Sequence, residues 1–496
     1  MPLKAKRIGL HTQREPVVIM RTDCPVCRSE GLAARSQVLL RAGDREVTAV
    51  LFQQDDGRLA ADEVGLSEAA WKLLGGREDE LVQVAHVPPL ESMRWVRRRI
   101  FGNELGQGAF DEILRDVVAG RYSDVQLSAF VTAGSAFPFN DEETFALTRA
   151  MAEAGTQLDW GQSVVVDKHS VGGLPGNRTT PIVVAIAAAC GVTIPKTSSR
   201  AITSPAGTAD AMATVTKVDI DLPTMKKVVR SEGGCLAWGG GLNLSPADDI
   251  FIGVERQLDV DPEGQLIASV LSKKIAAGAK RVVLDIPVGP TAKLRSREAG
   301  LRLASRLNEI SRRFGIQSTC IISDGSQPVG RSIGPALEMM DVLAVLRREA
   351  SAPTDLQDRA LRLAAAILEI GGKADPGCGF ELAEQVLEDG RAYQKFEAIC
   401  RAQGRFGEPP KAHLQCAVTA TTTGTLAELD NRKIAQVAKL AGAPDSPAAG
   451  LRLHARKGDS IVAGQPLMTI HAETEAELAY ALAHASQSTD MLRIEP

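Results

Sequence analysis

The chain has 496 residues, 44% hydrophobic and 24% charged, with 57 Lys and Arg against 61 Asp and Glu, a formal net charge of −4. This is ordinary globular composition, long enough for about three domains and too near neutral for the electrostatic footprint of a nucleic-acid binder. A small scaffold held together by disulfides or metal is excluded, and small-molecule chemistry leads. The eight cysteines stand at 24, 27, 190, 235, 320, 378, 400 and 416, scattered through apolar or helical stretches after the first two, the usage of a reduced compartment. The basic N-terminus runs into polar residues without the apolar core of a signal peptide. The longest apolar stretch, 182–192, is too short to span a bilayer. A cytoplasmic protein without membrane or nucleic-acid partners is expected.

In chain order, residues 1–85 read as a small N-terminal β domain. Pro16-Val-Val-Ile-Met-Arg and Val47-Thr-Ala-Val-Leu-Phe-Gln are short β-branched runs separated by polar turns such as Asp55-Asp-Gly. Within it, Cys24-Pro-Val-Cys27 has half the spacing of a zinc knuckle and no second pair at ligand spacing, so packed thiols are expected and no metal. A zinc-organised interaction module over 1–85 is the alternative. From Ser92 onward Met93, Val96, Ile100, then Ile113, Leu114, Val117 and Val118 recur at helical spacing, which predicts a helical domain over 86–158. A strand over 163–167, a glycine-rich turn, a helix over 180–190 and a strand over 191–196 follow. Further strands are predicted at 282–287 and 317–323, and helices at 297–314 and 356–370. Strands alternating with helices predict an α/β fold with a largely parallel sheet, here over 162–240 and 280–400. The stretch 451–470 reads as two strands around a Lys-Gly-Asp turn, similar to the hammerhead of biotinyl-type domains. No carrier lysine stands between Leu467 and Met468, so 410–496 is expected to be a structural α+β region.

Three stretches carry candidate chemistry. Lys168-His169-Ser170-Val171-Gly172-Gly173, continuing to Thr179-Thr180, joins a predicted strand to a predicted helix. Backbone N–H groups, a helix N-terminal dipole, a lysine and hydroxyls there suit an anion. It is not a Walker A loop, because Val171 stands where the first glycine belongs and Asn177-Arg178 replaces Gly-Lys; a tight connection would carry the same glycines. The second stretch, 196–208, packs six hydroxyls, a lysine and an arginine into thirteen residues after another predicted strand, as phosphates and sugar hydroxyls require. A solvated Ser/Thr loop is the plainer reading. In the third, Asp261-Pro262 suits a helix N-cap and first position, while Ser269 and Lys273, four apart, share one helix face. A carboxylate near that face could protonate a leaving group if burial raised its pKa.

Taken together, Lys168-His-Ser-x-Gly-Gly173, Thr197-Ser-Ser-Arg-Ala-Ile-Thr-Ser204 with Ala206-Gly-Thr-Ala-Asp210, Trp238-Gly-Gly-Gly-Leu-Asn-Leu-Ser-Pro-Ala-Asp-Asp249 and Ser269-x-x-Ser-Lys-Lys274 closely resemble the thymidine phosphorylase and AMP phosphorylase family. Ser123-Asp-x-Gln-x-Ser-Ala-Phe130 resembles its helical-domain signature, so the likeness runs from about residue 86 to the C-terminus. The resemblance implies a helical domain of 86–158 with 246–276, hinged to a large α/β domain that binds phosphate, with the nucleoside between them. By position it makes Lys168, Ser170, Thr179, Ser198 and Thr208 phosphate contacts. His169 then lies near the base and C1′, and Ser269 and Lys273 contact the base. The AMP branch adds Gly173, Ser199, Arg200, Ala201, Ile202, Thr203, Ser204, Thr208, Ser269 and Lys293 as nucleotide contacts, with Asp261 as proton donor to the leaving purine. Asp261, His169, Lys168 and Lys273 are the catalytic candidates.

The pyrimidine branch reads Ser-Gly-Arg-Gly-Leu-Gly-His where this chain has 198–204, and carries an arginine where Val254 stands, with Arg256 two positions on. The expected reaction is phosphorolysis of a nucleoside 5′-monophosphate such as AMP to free base and ribose 1,5-bisphosphate. Phosphorolysis of thymidine or another pyrimidine nucleoside is the alternative, and a nucleotide-binding protein without catalysis is an alternative of another class. No organic cofactor is implied, phosphate being the co-substrate, and the resemblance implies a homodimer or larger assembly.

Overall fold

The computed structural model describes every residue except Met1, Arg14, Gln162, Ser163, Ile202, Thr203 and Thr489. The chain forms two compact bodies, 1–101 with 112–130, and 102–111 with 131–496.

The first body is built on a closed barrel. Its strands are β1 (Pro2–Arg7), β2 (Val17–Arg21), β3 (Gln37–Ala42), β4 (Arg45–Gln54), β5 (Glu63–Leu66) and β6 (Leu81–His86), in the order β1-β5-β2-β4-β3-β6. Alternate residues, Leu3 and Ala5, Val18 and Met20, Val38 and Leu40, Val82 and Val84, fill the interior, as the two-residue side-chain period of a strand dictates. Closure leaves no strand edge to be covered. Cys24 and Cys27 are free thiols packed in this core. Among the described residues there is no group of three or more His, Cys, Asp or Glu that could hold a metal ion.

In the second body, β7 (Val166–Ser170), β8 (Ile194–Ser198), β9 (Gly234–Trp238), β10 (Arg281–Val288) and β11 (Gln317–Asp324) are all parallel. Strand β10 lies between β7 and β11, β8 pairs with β9, and a parallel bridge from Val165 to Thr193 joins the two groups. The resulting order is β11-β10-β7-β8-β9. The helix Thr179–Ala189 is buried over 179–188, which is why it is apolar all round. It packs with Leu343, Ile367 and Phe396 in the largest core.

Two strands sit later in the chain than their apolar runs suggest. The strand expected over 163–167 is β7, beginning at Val166, and Ser163 lies outside the described residues. The strand expected over 191–196 begins at Ile194, because Gly191, at φ 75°, ends the preceding helix and turns the chain. The shift has a chemical consequence. Lys168, His169 and Ser170, and likewise Lys196, Thr197 and Ser198, are the last residues of strands and not loop residues.

Helices Met93–Ile100 and Gln107–Val118 fall where apolar residues recur at helical spacing, and Asp124–Ala136 and Asp141–Glu153 follow within the same segment. Asp141–Glu153 starts from a capping box of Asn140 with Glu143 and packs along Glu263–Ala276. Toward the C-terminus, β12 (Ser332–Ile333), β13 (Leu414–Thr419), β14 (Gly424–Leu429), β15 (Gly450–Leu453), β16 (Ser460–Ile461), β17 (Pro466–Ala472) and β18 (Leu492–Glu495) form two sheets, β12-β15-β17-β13 and β16-β14-β18. Helices Asn431–Leu440 and Glu475–Gln487 pack with them around Leu426, Ile434, Leu451, Met468 and Ile470. Among the described residues no helix is long and apolar enough to cross a membrane.

One turn holds the glycine-rich segment against the rest. Gly176 has φ +70°, and a Cβ there would stand 2.2 Å from the Val329 carbonyl oxygen, whereas Gly315, at φ +69°, has open space around it. Gly315→Ala is expected to cost about 1 kcal/mol for its left-handed backbone alone. Gly176→Ala should cost about 2 kcal/mol or more because the contact is with backbone. Denaturant midpoints of the two variants check this.

Candidate functional site

In an open parallel sheet, ligands bind beyond the carboxyl ends of the strands, and there the three sequence clusters meet. Lys168 is buried, and its Nζ donates to Thr179 Oγ1 (3.0 Å) and Thr180 Oγ1 (3.2 Å) at the start of the following helix. Burial pushes this ammonium down to about 8; Asp285 opposes the shift, and the charges of Arg178 and Arg359 add to it. Arg178, at the helix N-cap, offers no side-chain acceptor to the first N–H groups, which an anion can satisfy.

Ser170 Oγ donates to Asp285 Oδ2 at 2.9 Å, and Asn177 Nδ2 donates to both Ser170 Oγ (3.2 Å) and Asp285 Oδ2 (3.1 Å). Ser170 and Asp285 are register partners on β7 and β10. Ser198 Oγ is buried and has no hydrogen-bond partner among the described residues, an orphan whose desolvation costs free energy until a ligand satisfies it. Arg178 reaches across to the second cluster. Its Nη1 donates to Thr208 Oγ1 (2.7 Å), its Nη2 to the Ala206 carbonyl (2.8 Å) and its Nε to Glu338 (2.7 Å). Burial pushes the Glu338 carboxyl up, and Arg178 opposes that shift.

The second cluster is organised by Asp210. Its carboxylate accepts from the Ala201 N–H (2.6 Å), the Gly207 N–H (2.9 Å) and Arg200 Nη1 (3.1 Å). The Arg200 guanidinium also lies over the Trp238 ring, 5.0 Å from its centroid. Ser204 Oγ donates to the Ala206 carbonyl at 2.8 Å, and Ser199 is exposed. Ile202 and Thr203 lie outside the described residues.

The third cluster is a chain of charges. Lys273 Nζ donates to Asp248 Oδ2 (2.7 Å) and Ser269 Oγ (3.1 Å), so Ser269 and Lys273 do share a helix face. Asp261 is not the helix cap. Pro262 takes that position and the helix begins at Glu263, leaving the Asp261 carboxylate in an ion pair with Lys293. Lys293 in turn lies against Gly173, whose missing Cβ would stand 2.9 Å from the Lys293 Cβ. Burial pushes Lys293 down to about 8 against the pull of Glu255 and Asp248. Burial, then Asp248, pushes Glu255 up to about 7, with Lys293 and Lys273 opposing. Half-buried His169 is held well below its ordinary value, first by burial and then by Lys274, Lys273, Lys196 and Lys168. It is therefore a neutral imidazole at neutral pH.

Beneath these groups Asp167, buried, meets Lys274 Nζ at 2.6 Å and Lys196 Nζ at 3.5 Å. Burial pushes the Asp167 carboxyl up, but the two lysines outweigh it and hold it below the ordinary value.

Reading of the sequence missed Asp285, Glu338 and Glu255 as partners of this site. The one signal for Asp285 was a lone acid inside the apolar run Val282-Val-Leu-Asp-Ile-Pro. Glu338 gave the same signal, an acid in the apolar, almost wholly buried helix Pro335–Leu346, whereas Glu255 lies in the amphipathic helix Pro246–Leu258, where an acid is unremarked.

Three family models match the chain. One described as "Glycosyl transferase family, helical bundle domain" covers 94–155, one described as "Glycosyl transferase family, a/b domain" covers 162–393, and one described as "Pyrimidine nucleoside phosphorylase C-terminal domain" covers 425–491. A protein of Tolumonas auensis named "Putative thymidine phosphorylase" is 59% identical over 494 residues, spanning 100% of this chain and 98% of its own length. One of the same name from Chelativorans sp. is 60% identical over 494 residues, covering 99% and 97%. Among solved structures, anthranilate phosphoribosyltransferase from Thermus thermophilus superposes with a TM-score of 0.52 at 22% identity, over 62% of this chain and 98% of that one. That likeness is one of fold.

The Arg178–Glu338 pair gives the site a stability test. Glu338→Ala leaves a buried guanidinium without its counter-charge and is expected to cost about 3–5 kcal/mol, read as a lowered denaturant midpoint.

Proposed function

The chain belongs to the thymidine phosphorylase family of glycosyltransferases, and on that premise we propose that it cleaves the N-glycosidic bond of a nucleoside 5′-monophosphate of the AMP type with inorganic phosphate. It is a pentosyltransferase, and the products of the proposed reaction are the free base and ribose 1,5-bisphosphate. The observation that carries this reading is the double supply of anion-binding groups at one sheet edge. Lys168, Ser170, Thr179, the orphaned Ser198 hydroxyl and Thr208 can hold the attacking phosphate. The loop around Arg200, tied down by Asp210 and Trp238, and Lys293 against Gly173 remain for a second phosphoryl group. A nucleoside without a 5′-phosphate would leave these unused.

The chemistry follows from charge. Phosphorolysis passes through an oxocarbenium-like state at C1′, and a phosphate held in line behind the ribose meets that charge without reorganisation. Neutral His169 serves as a hydrogen-bonding group beside C1′ and the base. Ser269 and Lys273 present a hydroxyl and an ammonium to the base edge. The leaving purine needs a proton, assigned to Asp261 in its acid form, taken up once an incoming 5′-phosphate has drawn Lys293 out of the ion pair, with Glu255 as a second carboxyl that is half protonated near pH 7. Val254, in place of an arginine, removes a donor to a pyrimidine carbonyl, and base edges are selected by such paired bonds.

The second reading, phosphorolysis of thymidine or another pyrimidine nucleoside, is favoured by the names of the full-length relatives. Incubation with AMP or thymidine, with and without phosphate, and chromatography of free base separates the two. Phosphate-dependent adenine release is expected. Thymine release instead would give the reaction to the pyrimidine branch and remove the 5′-phosphate role from residues 199–204.

Lys168→Ala should lower turnover by at least about a hundredfold, and retained turnover would overturn its role. Asp261→Asn should slow purine release while Glu255→Gln does not; the reverse pattern transfers the proton to Glu255. Lys168 holds phosphate as the ammonium, and that form is lost as pH rises through about 8. The value of kcat/KM for phosphate should therefore fall on the alkaline side of about pH 8. Lys168→Arg, which stays charged, should move that limb upward. An unmoved limb would place it on Lys293.

A further inference from the structure

Lys293 stands in a short loop after β10, and that loop is held from two sides. On the sheet side it closes on itself: the Gly289 N–H donates to the Leu294 carbonyl (2.9 Å), the Ala292 N–H donates to the Gly289 carbonyl (3.1 Å), and Val288 forms a bridge with Leu294. It also packs backbone to backbone on the turn that follows β11. The Gly325 N–H donates to the Val288 carbonyl at 2.8 Å, and a Cβ on Gly289 would overlap the Gly325 carbonyl.

The other side is held by the C-terminal region. Asn431, the first residue of the helix Asn431–Leu440, is 1% exposed and stands 140 residues from Thr291 in the chain. Its backbone N–H donates to Thr291 Oγ1 at 3.1 Å, and its Nδ2 donates to the same oxygen at 3.0 Å and to the Gly325 carbonyl at 3.0 Å. The Gly325 carbonyl can only accept, so the amide must turn its NH2 group toward it. One buried side chain thus grips the loop of Lys293 and the turn on which that loop packs.

The helix does not need Asn431 as a cap. Asp430 fills that role, its carboxylate accepting from the Arg432 N–H (2.8 Å) and the Lys433 N–H (3.1 Å). The Asn431 N–H is one of the first-turn donors that a helix leaves unpaired, and the Thr291 hydroxyl takes it up. Asn431 Oδ1, however, is buried with no hydrogen-bond partner among the described residues, which costs stability. The residue is therefore better matched to holding Thr291 than to stabilising its own helix.

Thr291 is two residues from Lys293. Lys293 in turn meets the Gly173 turn through its backbone and Cβ, and Asp261 through its ammonium. We propose that Asn431 is a positioning residue: through Thr291 it sets the loop that carries Lys293, and so aligns Lys293 with Asp261 and with the glycine-rich turn. A small displacement of such a group is costly in rate. The consequence for the reaction rests on the reading of Lys293 as a nucleotide contact, whereas the hold on the loop does not.

Two measurements on the full chain test this. In amide hydrogen exchange read by mass spectrometry, Asn431→Ala and Thr291→Val should each speed exchange over 289–294 by about tenfold. Asp430→Ala, which removes the helix cap without touching Thr291, should lower the denaturant midpoint and leave that exchange unchanged. In steady-state kinetics, Asn431→Ala should raise KM for AMP about tenfold and leave KM for phosphate within about twofold of native. Thr291→Ser, which keeps the hydroxyl, should behave as native. Combining Asn431→Ala with Thr291→Val should be no worse than either alone, and Asn431→Ala should add nothing in a Lys293→Met background. Loop exchange that is the same with and without Asn431 would overturn the proposal, as would an effect of Asn431→Ala that persists in full without Lys293, or a lowered midpoint with native kinetics. If thymidine is turned over in place of AMP, the nucleotide reading fails by itself: the exchange experiment still decides the hold on the loop, and the same cycle run with thymidine decides whether it serves the reaction.

Discussion

The register of β7 against β10 is the constraint on which the site depends. Lys168 lies beside Val283, His169 beside Leu284 and Ser170 beside Asp285. Because strand side chains alternate, a slip of one residue would turn Lys168 away from Thr179 and Thr180 and carry Ser170 off Asp285. Burial on both faces, with Val166 in one core and Val165 in another, fixes that register. The strand is short, so its last three residues reach the carboxyl edge while still held by the sheet. Ligand groups placed on a sheet are more rigid than ligand groups placed on a loop, and rigidity is what an electrostatic site needs.

Around that edge the protein buries several cations and treats them in two ways. Lys274 and Lys196 are matched by Asp167, and Arg178 by Glu338. These pairs hold elements distant in sequence, and removing one partner strands the other charge. Lys168 is different: its direct partners are the hydroxyls of Thr179 and Thr180, with no carboxylate in the pair. Burial depresses its pKa and the Asp285 charge offsets that only in part, so an arriving phosphate would stabilise the ammonium further. Ser198, a hydroxyl buried without a partner among the described residues, is the neutral counterpart. A site that withholds satisfaction from its own polar groups is shaped for a ligand.

The helical side contributes a carboxylate-rich counterpart. Asp248, Glu255 and Asp261 lie with Lys273 and Lys293, so this end of the site is near charge balance, whereas Lys168 at the other end has only hydroxyls as direct partners. That polarity suits a reaction in which a dianion attacks from one end and a proton is delivered at the other. Gly173 permits it sterically, since only a residue without a Cβ lets the Lys293 backbone approach the glycine-rich turn.

What the amino-acid sequence determined by itself is what repeats locally. Short β-branched runs marked two of the barrel strands, β2 and β4, helical spacing marked Met93–Ile100 and Gln107–Val118, and the four-residue separation of Ser269 and Lys273 placed them on one face. The glycine-rich and hydroxyl-rich stretches could be seen as anion loops from composition alone, and their order along the chain carried the family resemblance. Strand ends were less legible, since the apolar run stops before the strand does and hydrogen bonding to β10 continues through the polar Lys168-His169-Ser170. Only the tertiary structure decided the partners: Asp285 for Ser170, Glu338 for Arg178, and Lys293 for Asp261 in place of a helix-cap role. Asp285 lies 115 residues from Ser170 and Glu338 160 residues from Arg178. Pairing over such separations follows from which helices pack on which face of the sheet, and local periodicity carries no record of it.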